Sequence, residues 1–305
     1  MRVIVIGGGI VGAAAAYQLA CAGTEVTLVD REDDGQATVV GSGVVFPGPI
    51  PGSTGLEHDF GLAAFEALLG VEEALRAEQI EPGVDTVGLV AVAKPGPELD
   101  ECRARTLSLA DLPDAAHVGE IAELAVGAPA ERFPLLRPAY AGMWVSGFVR
   151  IDGRTLRDGL VSAASARGMT RHQGTANLAR ASDGVAVRVD GDVLDADAVI
   201  VAAGAWSAAL CRPLGLDLGV VPHRGQGLRL GQVGTRTDGW PIVQPPDWRF
   251  LVPLPGGRVV AGGTSEPDTG FDVHVDEEDA PSLVADALAV APGLSGWSVV
   301  EHRAG

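Results

Sequence analysis

Before Asp30 the chain switches hydrophobic period twice. Arg2–Ile6 (RVIVI) is a short unbroken apolar run rich in β-branched residues, the pattern of a central parallel strand buried on both faces. Ile10–Cys21 (IVGAAAAYQLAC) is alanine-rich and built from good helix formers. Gly23 punctuates, and Glu25–Asp30 (EVTLVD) makes the next strand. Together they predict one βαβ unit of roughly 30 residues. Downstream, Phe60–Gln79 carries Leu62, Phe65, Leu68, Leu69 and Leu75 at helical spacing. TVGLVAVAKPGPELDE reads as strand, Pro/Gly turn and helix start, and Glu131–Pro138 as proline-punctuated loop.

A strand and then a helix from about Arg154 to Arg167 follow. Val185–Asp190 and Val193–Leu194 pair as a hairpin over DGD, and DAVIVAAGAW (Asp197–Trp206) is a second buried apolar strand ending in Ala-Gly. VVPHRGQGLRL, RFLVPLPGGRVVAGGTS and WSVVEHRAG read as antiparallel strands with glycine turns. Asp279–Ala291 is helical, and the acidic run Asp276–Asp279 suits its N-terminus better than a metal role. The expected fold is α/β (α+β), a Rossmann-like unit interleaved with a mostly antiparallel sheet. Residues 1–84 and 150–216 form one discontinuous domain, 85–149 and 217–305 the other.

Composition narrows the partners. With 22 Lys and Arg against 40 Asp and Glu, the net charge is −18, which argues against nucleic acid or an anionic membrane. A dianionic cofactor stays possible, because such fields decay within about 8 Å at physiological salt and local amides then dominate. Cys21, Cys102 and Cys211 are odd in number and widely spaced, which suits a reducing cytoplasm. The N-terminus imitates a signal peptide, but its glycine cluster breaks the helix an apolar export segment needs. No stretch approaches the ~20 uninterrupted apolar residues of a membrane span.

Gly7, Gly9 and Gly12 form GxGxxG between the first strand and helix. The first glycine permits the tight turn, the second lets a diphosphate approach the backbone, and the third lets helix pack on strand. Phosphates would then meet amides at the helix start. Asp30 ends the second strand about 20 residues on, where it would accept from ribose hydroxyls and repel the 2′-phosphate of NADP. The competing reading is a tightly packed core turn. Between NAD and FAD the balance leans to FAD. The six histidines (58, 117, 172, 223, 274, 302) show no HxxxH pairing, and there is no GxSxG. A flavin takes a hydride directly from a carbon, so positioning carries much of its catalysis.

Five stretches carry a resemblance. VIVIGGGIVGAAAAYQLACAGTEVTLVDR, GFVRIDGRTLRDGLVSAASARG, ADAVIVAAGAWSAAL, VPHRGQ and FLVPLPGGRVVAGGTSEPDTGFD resemble, in that order, the FAD-dependent D-amino-acid oxidase family. That family includes glycine oxidase, sarcosine oxidase and the D-amino-acid dehydrogenases. The resemblance implies that Gly7, Gly9, Ile10, Val11, Gly12 and Asp30 bind the ADP half of FAD, with Arg31 beside the adenosine. It places Thr38 as a hydroxyl donor on a loop from diphosphate to flavin, and Gly41, Ser42 and Gly43 where the ring approaches. Ala203 and Gly204 would close over the cofactor, or simply end a buried strand. Ala176–Asn177 falls on the adenine-contacting strand.

Arg224 falls near the flavin and the active-site floor, or alternatively pairs structurally with a carboxylate. Phe250 stands where many members carry a tyrosine that bonds the substrate carboxylate, and phenylalanine cannot donate that bond. Members continue past Ala304-Gly305 with Leu-Arg-Pro, whose arginine pairs with the substrate carboxylate. The resemblance therefore implies a chain truncated at its C-terminus. The expected activity is FAD-dependent oxidation of the C–N bond of a small amino acid or amine, with oxygen or an electron carrier as acceptor. The alternatives are a flavoprotein acting on 2-hydroxy acids and a non-catalytic FAD-binding fragment.

Overall fold

The computed structural model describes residues 1–47, 54–112, 115–182, 184–246, 249–276 and 278–305. The predicted βαβ unit forms as β1 (Arg2–Ile6), α1 (Ile10–Cys21) and β2 (Glu25–Asp30). β1 is flanked by β2 and by the strand Ala198–Val201, and β2 by Thr170–Gln173, all parallel. The alanines of α1 explain its place. Ala13, Ala16 and Ala20 are buried with Leu156, Leu160 and Ala163 of the helix Gly153–Ala166, and small side chains let the two helices approach closely. The opposite face of the sheet is covered by a three-stranded antiparallel meander, Ala176–Ala181, Gly184–Val189 and Asp192–Leu194. Leu178, Val187 and Val189 of the meander pack on Ile4, Ile6 and Val29.

The second sheet has eight strands, in the order Ser298–Ala304, Gln226–Gly231, Arg258–Ala261, Leu251–Leu254, Ile242–Gln244, Leu89–Ala93, Ala141–Val145, Ile121–Leu124. Its side chains alternate between two cores, as strand geometry requires. Val90, Val92, Leu230, Val243, Leu251 and Val259 pack with the helix Asp279–Val290, and Leu89, Ala91, Met143, Val252 and Val260 with Cys102 and Phe148. A small sheet of Val44–Val45, Val149–Ile151 and Val84–Thr86 lies where the chain passes between the two systems.

Several elements differ from expectation. The helix expected from Phe60 begins at Leu56, but Leu56 is 89% and Phe60 75% exposed, so no apolar spacing marks its first turn. The strand Ala198–Val201 is only half-buried, because among the described residues it pairs on one side alone. Ile242–Gln244 was not expected; prolines flank it, and it runs parallel to Leu89–Ala93 in an otherwise antiparallel sheet. In the acidic run before the last helix, Glu277 lies outside the described residues, while Asp279 occupies the first turn.

Two arginine-centred joints tie the sheet systems together. Arg150, 2% exposed, donates to Asp85 Oδ2 at 2.9 Å, to the Pro253 carbonyl at 2.8 Å and to the Asp238 carbonyl at 2.9 Å. Both carboxylate oxygens of Glu301, on the last strand, accept from Arg154 Nη2, at 2.9 and 3.0 Å, and the group also takes Arg229 at 3.1 Å and a close contact from Arg303. Burial pushes the Glu301 carboxyl upward, but the three guanidiniums outweigh it and hold it below the usual carboxylate range.

Removing the Arg150 guanidinium leaves Asp85 with only the 3.3 Å contact from Arg76, and takes the donor from the buried Pro253 carbonyl and the part-buried Asp238 carbonyl. Arg150→Ala is expected to lose about 3–5 kcal/mol in denaturant unfolding, and Asp85→Asn clearly less, because the carbonyl contacts remain. For Glu301 the sign follows from its depressed pKa. Its stabilisation is complete above the ordinary value of about 4.3 and is lost as pH falls through the folded value. Thermal midpoints should therefore fall on acidification, and Glu301→Gln should flatten that fall while lowering the neutral-pH midpoint.

Candidate dinucleotide-binding site

The turn between β1 and α1 is held by backbone contact. Gly7 has φ +109°, and a Cβ there would sit 2.3 Å from the Ala202 carbonyl oxygen. A Cβ on Gly12 would sit 1.8 Å from the Gly7 carbonyl oxygen. Gly9 is different: its Cβ would meet only the Thr38 hydroxyl, at 3.2 Å. The first and third glycines are thus demanded by the fold, and the second leaves the backbone open to a ligand.

Helix α1 starts at Ile10, and Gly9 before it offers no side-chain cap. Its first amides have no partner within the helix, and one is supplied from elsewhere in the chain. The Ile10 amide donates to Thr38 Oγ1 at 2.9 Å. Accepting there leaves the Thr38 hydroxyl proton available to an anion. Asp30 does double duty: Oδ2 takes a very short bond from the Gly8 amide, while Oδ1 accepts from the Glu32 amide at 2.5 Å and the Gln36 side chain at 3.4 Å. A carboxylate has about four acceptor sites, so capacity remains for a ribose hydroxyl.

These groups line a cleft of about 720 Å³ over the C-terminal ends of β1, β2 and Ala198–Val201. Gly7, Gly9, Ile10, Val11, Asp30, Arg31, Thr38, Ala203 and Gly204 all reach it. Gly12 lies behind Gly7, where it packs helix on strand. Asn177 and Ala176 form the far wall. An amide-lined helix start, a hydroxyl donor and a carboxylate fit a dinucleotide diphosphate with its adjoining ribose. Trp206 also lines the cleft, and the sequence reading did not single it out. Its one signal was its place, two residues after Gly204. Trp206 stacks on Phe271 with centroids 5.2 Å apart, and the Arg31 guanidinium lies 6.0 Å from its ring centre, itself paired with Asp33.

Other expected site residues lie outside this cleft. Gly43 (φ +76°) is packed on the strand Val149–Ile151, where a Cβ would come 2.0 Å from the Ile151 carbonyl oxygen. Gly41 ends the single turn Ala37–Val40, and Ser42 is exposed beside it. Arg224, expected either near the active-site floor or paired with a carboxylate, has its guanidinium on protein acceptors: Glu266 at 2.5–2.6 Å, the His274 carbonyl at 3.1 Å and Asp272 at 3.4 Å. The Gln226 amide and Thr264 hydroxyl, with Arg224, hold Glu266 below the usual carboxylate range. Phe250 packs on the cluster containing Ile242, Val252 and Val260. A larger cleft, about 1150 Å³, shares Asp30 and Gln36, is walled by Arg157, Arg171 and Arg303, and meets the glycine turn only at Gly8. Among the described residues, no group of three or more His, Cys, Asp or Glu is placed to hold a metal ion, and no helix is long and apolar enough to cross a membrane.

Residues 2–305 match the family model described as DAO, FAD dependent oxidoreductase. The chain is 34% identical to the uncharacterized oxidoreductase YurR of Bacillus subtilis, over 99% of this chain and 82% of that protein. It is 31% identical to the glycine oxidase of Pseudomonas aeruginosa, over 100% of this chain and 82% of that one. Among solved structures, iminodiacetate oxidase (IdaA) from Chelativorans sp. BNC1 superposes with a TM-score of 0.90 at 32% identity, covering 100% of this chain and 82% of the other.

The glycines give separable outcomes. Gly12→Ala should fail to fold, whereas Gly9→Glu should keep the wild-type circular dichroism and thermal midpoint yet take up no FAD. Asp30→Ala should weaken FAD roughly 10- to 100-fold by fluorescence titration, the range for losing charged hydrogen bonds.

Proposed function

The chain belongs to the DAO family of FAD-dependent oxidoreductases, and from that premise we propose that it oxidises the C–N bond of a small amino acid or secondary amine. The observation that carries the proposal is relatedness above 30% identity, over essentially the whole chain, to a glycine oxidase and an iminodiacetate oxidase. Both of those names denote substrates with an amine nitrogen next to a carboxymethyl carbon. Bound FAD supplies the two-electron acceptor of such a reaction. The substrate loses a hydride from its α-carbon and a proton from nitrogen, and the resulting imine adds water to give a carbonyl compound and a free amine. Oxygen or an electron carrier then takes the two electrons.

In this reading the chain's own residues bind and orient. Gly9, Ile10 and Val11 present the helix start to the diphosphate, Thr38 donates a hydroxyl to it, and Asp30 holds the ribose. Residues 41–43 carry the backbone towards the ring, with Gly43 anchored on Val149–Ile151. Residues 1–84 and 150–216 act as the FAD-binding domain, and 85–149 with 217–305 as the substrate domain. Phe250 contributes apolar surface where a tyrosine would donate a hydrogen bond, so substrate orientation relies less on that wall. Arg224, shared among three protein acceptors, does not clasp a substrate carboxylate in this reading. Three free cysteines, far apart in the chain, fit a cytoplasmic setting.

The test is a substrate panel on FAD-reconstituted protein. Under anaerobic conditions, glycine, N-substituted glycines or iminodiacetate should bleach the flavin absorbance, while 2-hydroxy acids leave it unchanged. Bleaching by the hydroxy acids alone would move the assignment to C–O oxidation. Protein that stays colourless with added FAD would point to a fragment that does not hold the cofactor.

A further inference from the structure

Arg224 and Gln226 belong to the motif that pointed to the active-site floor, yet their side chains serve a segment that runs elsewhere. Residues 265–276 form no helix or extended strand of their own among the described residues. They are fixed at both ends by the VPHRGQ strand entry. At the near end, the Glu266 amide donates to the Arg224 carbonyl at 2.8 Å, its carboxylate receives Arg224 Nε at 2.6 Å, and Gln226 Nε2 donates to it at 2.7 Å. At the far end, Arg224 Nη1 reaches the His274 carbonyl at 3.1 Å, and the Asp276 amide donates to Gln226 Oε1 at 2.8 Å. One buried amide and one guanidinium therefore clamp both ends of this loop of backbone.

The apex of that loop lands on the dinucleotide cleft. Phe271, 49% exposed, stacks on Trp206, which lines the cleft together with Arg31. Two residues on, Val273 packs against Gly35, where a Cβ would come within 2.2 Å of its Cγ1. Gly35 lies in the turn just after Asp30, beside Gln36, which bonds the Asp30 carboxylate. The segment thus straps the Asp30–Gln36 turn on one side and the Trp206 wall on the other.

We propose that Arg224 is a positioning residue for the cofactor, acting through the 265–276 strap: it holds Phe271 against Trp206 and so slows release of the adenosine half of FAD. This rests on the family's use of FAD and is independent of which amine is oxidised. An exposed aromatic with half its surface in solvent has little other support, and the stack persists only while the strap's two ends are held. Loss of either the ring or the guanidinium should open the same wall.

The experiment measures FAD dissociation from reconstituted protein after large dilution into FAD-free buffer, alongside FAD quenching of tryptophan fluorescence. Phe271→Ala should speed dissociation roughly three- to tenfold, the scale of one aromatic pair, while the apoprotein's thermal midpoint stays at the wild-type value. Phe271→Tyr should restore the wild-type rate. Arg224→Met should speed dissociation at least as much, and adding Phe271→Ala to it should give little further change, because both act through one contact. Asp272→Asn, which touches only the exposed arm of the network, guards against an Arg224 variant that does not fold and should give a smaller acceleration of the same kind. Wild-type release from Phe271→Ala, or effects of the two variants that multiply, would overturn the proposal. So would Arg224→Met that keeps the release rate and raises the amine KM. A wild-type chain that takes up no FAD would overturn this and the family-based function together, whereas normal uptake with an unchanged Phe271→Ala rate would remove the strap alone.

Discussion

The site depends on a place where there is no room for a side chain. Gly12 would put a Cβ 1.8 Å from the Gly7 carbonyl oxygen, and Gly7 would put one 2.3 Å from that of Ala202. Strand end, turn, helix start and neighbouring strand end are therefore in direct backbone contact. This closeness aims the first turn of α1, with its unsatisfied amides and positive dipole end, into the gap above the strands. The alanines that follow extend the same logic along the helix, since Ala13, Ala16 and Ala20 let a second helix close over it. The open amides at the helix start and the packing of the Rossmann unit share a single cause.

The joints that relate this unit to the large sheet are ionic. Lys94 is the sole lysine, so 21 of the 22 basic residues are arginines, in a chain whose net charge is −18. That choice matters where cations are half-buried or buried, because a guanidinium offers five donors in a rigid fork and can serve several acceptors at once. Arg150 bonds one carboxylate and two carbonyls, Arg224 two carboxylates and a carbonyl, and Glu301 gathers three guanidiniums. An ammonium could make fewer of these contacts in one geometry. Such joints add directionality where apolar surface alone would let the sheets slide, and each leaves a costly unpaired group if cut.

Thr38 and Asp30 connect the two levels. Both line the cleft, and both are spent partly on the protein itself, Thr38 as a distant cap for α1 and Asp30 as an acceptor for Gly8 and Glu32. A ligand arriving at this cleft meets groups already oriented by their bonds to the chain, which lowers the ordering cost of binding.

Local pattern was enough for much of this. The apolar run of β1, the alanine period of α1, GxGxxG and the acid ending β2 lie within one stretch of chain, where period and spacing report geometry directly. The family resemblance extended that reading to Thr38, Ala203 and Gly204, which do meet at the cleft. What the sequence could not supply depends on distant partners. Ile242–Gln244 is a strand only because Leu89–Ala93 lies beside it. Arg150 is buried only because Asp85, Asp238 and Pro253 converge on it, and Trp206 becomes a cleft wall through Phe271, 65 residues away in the chain by numbering (271 − 206). Arg224 shows the same limit most plainly. Its motif could name the neighbourhood, but whether the guanidinium faces a substrate or binds Glu266 is settled by which acceptors the folded chain brings within reach.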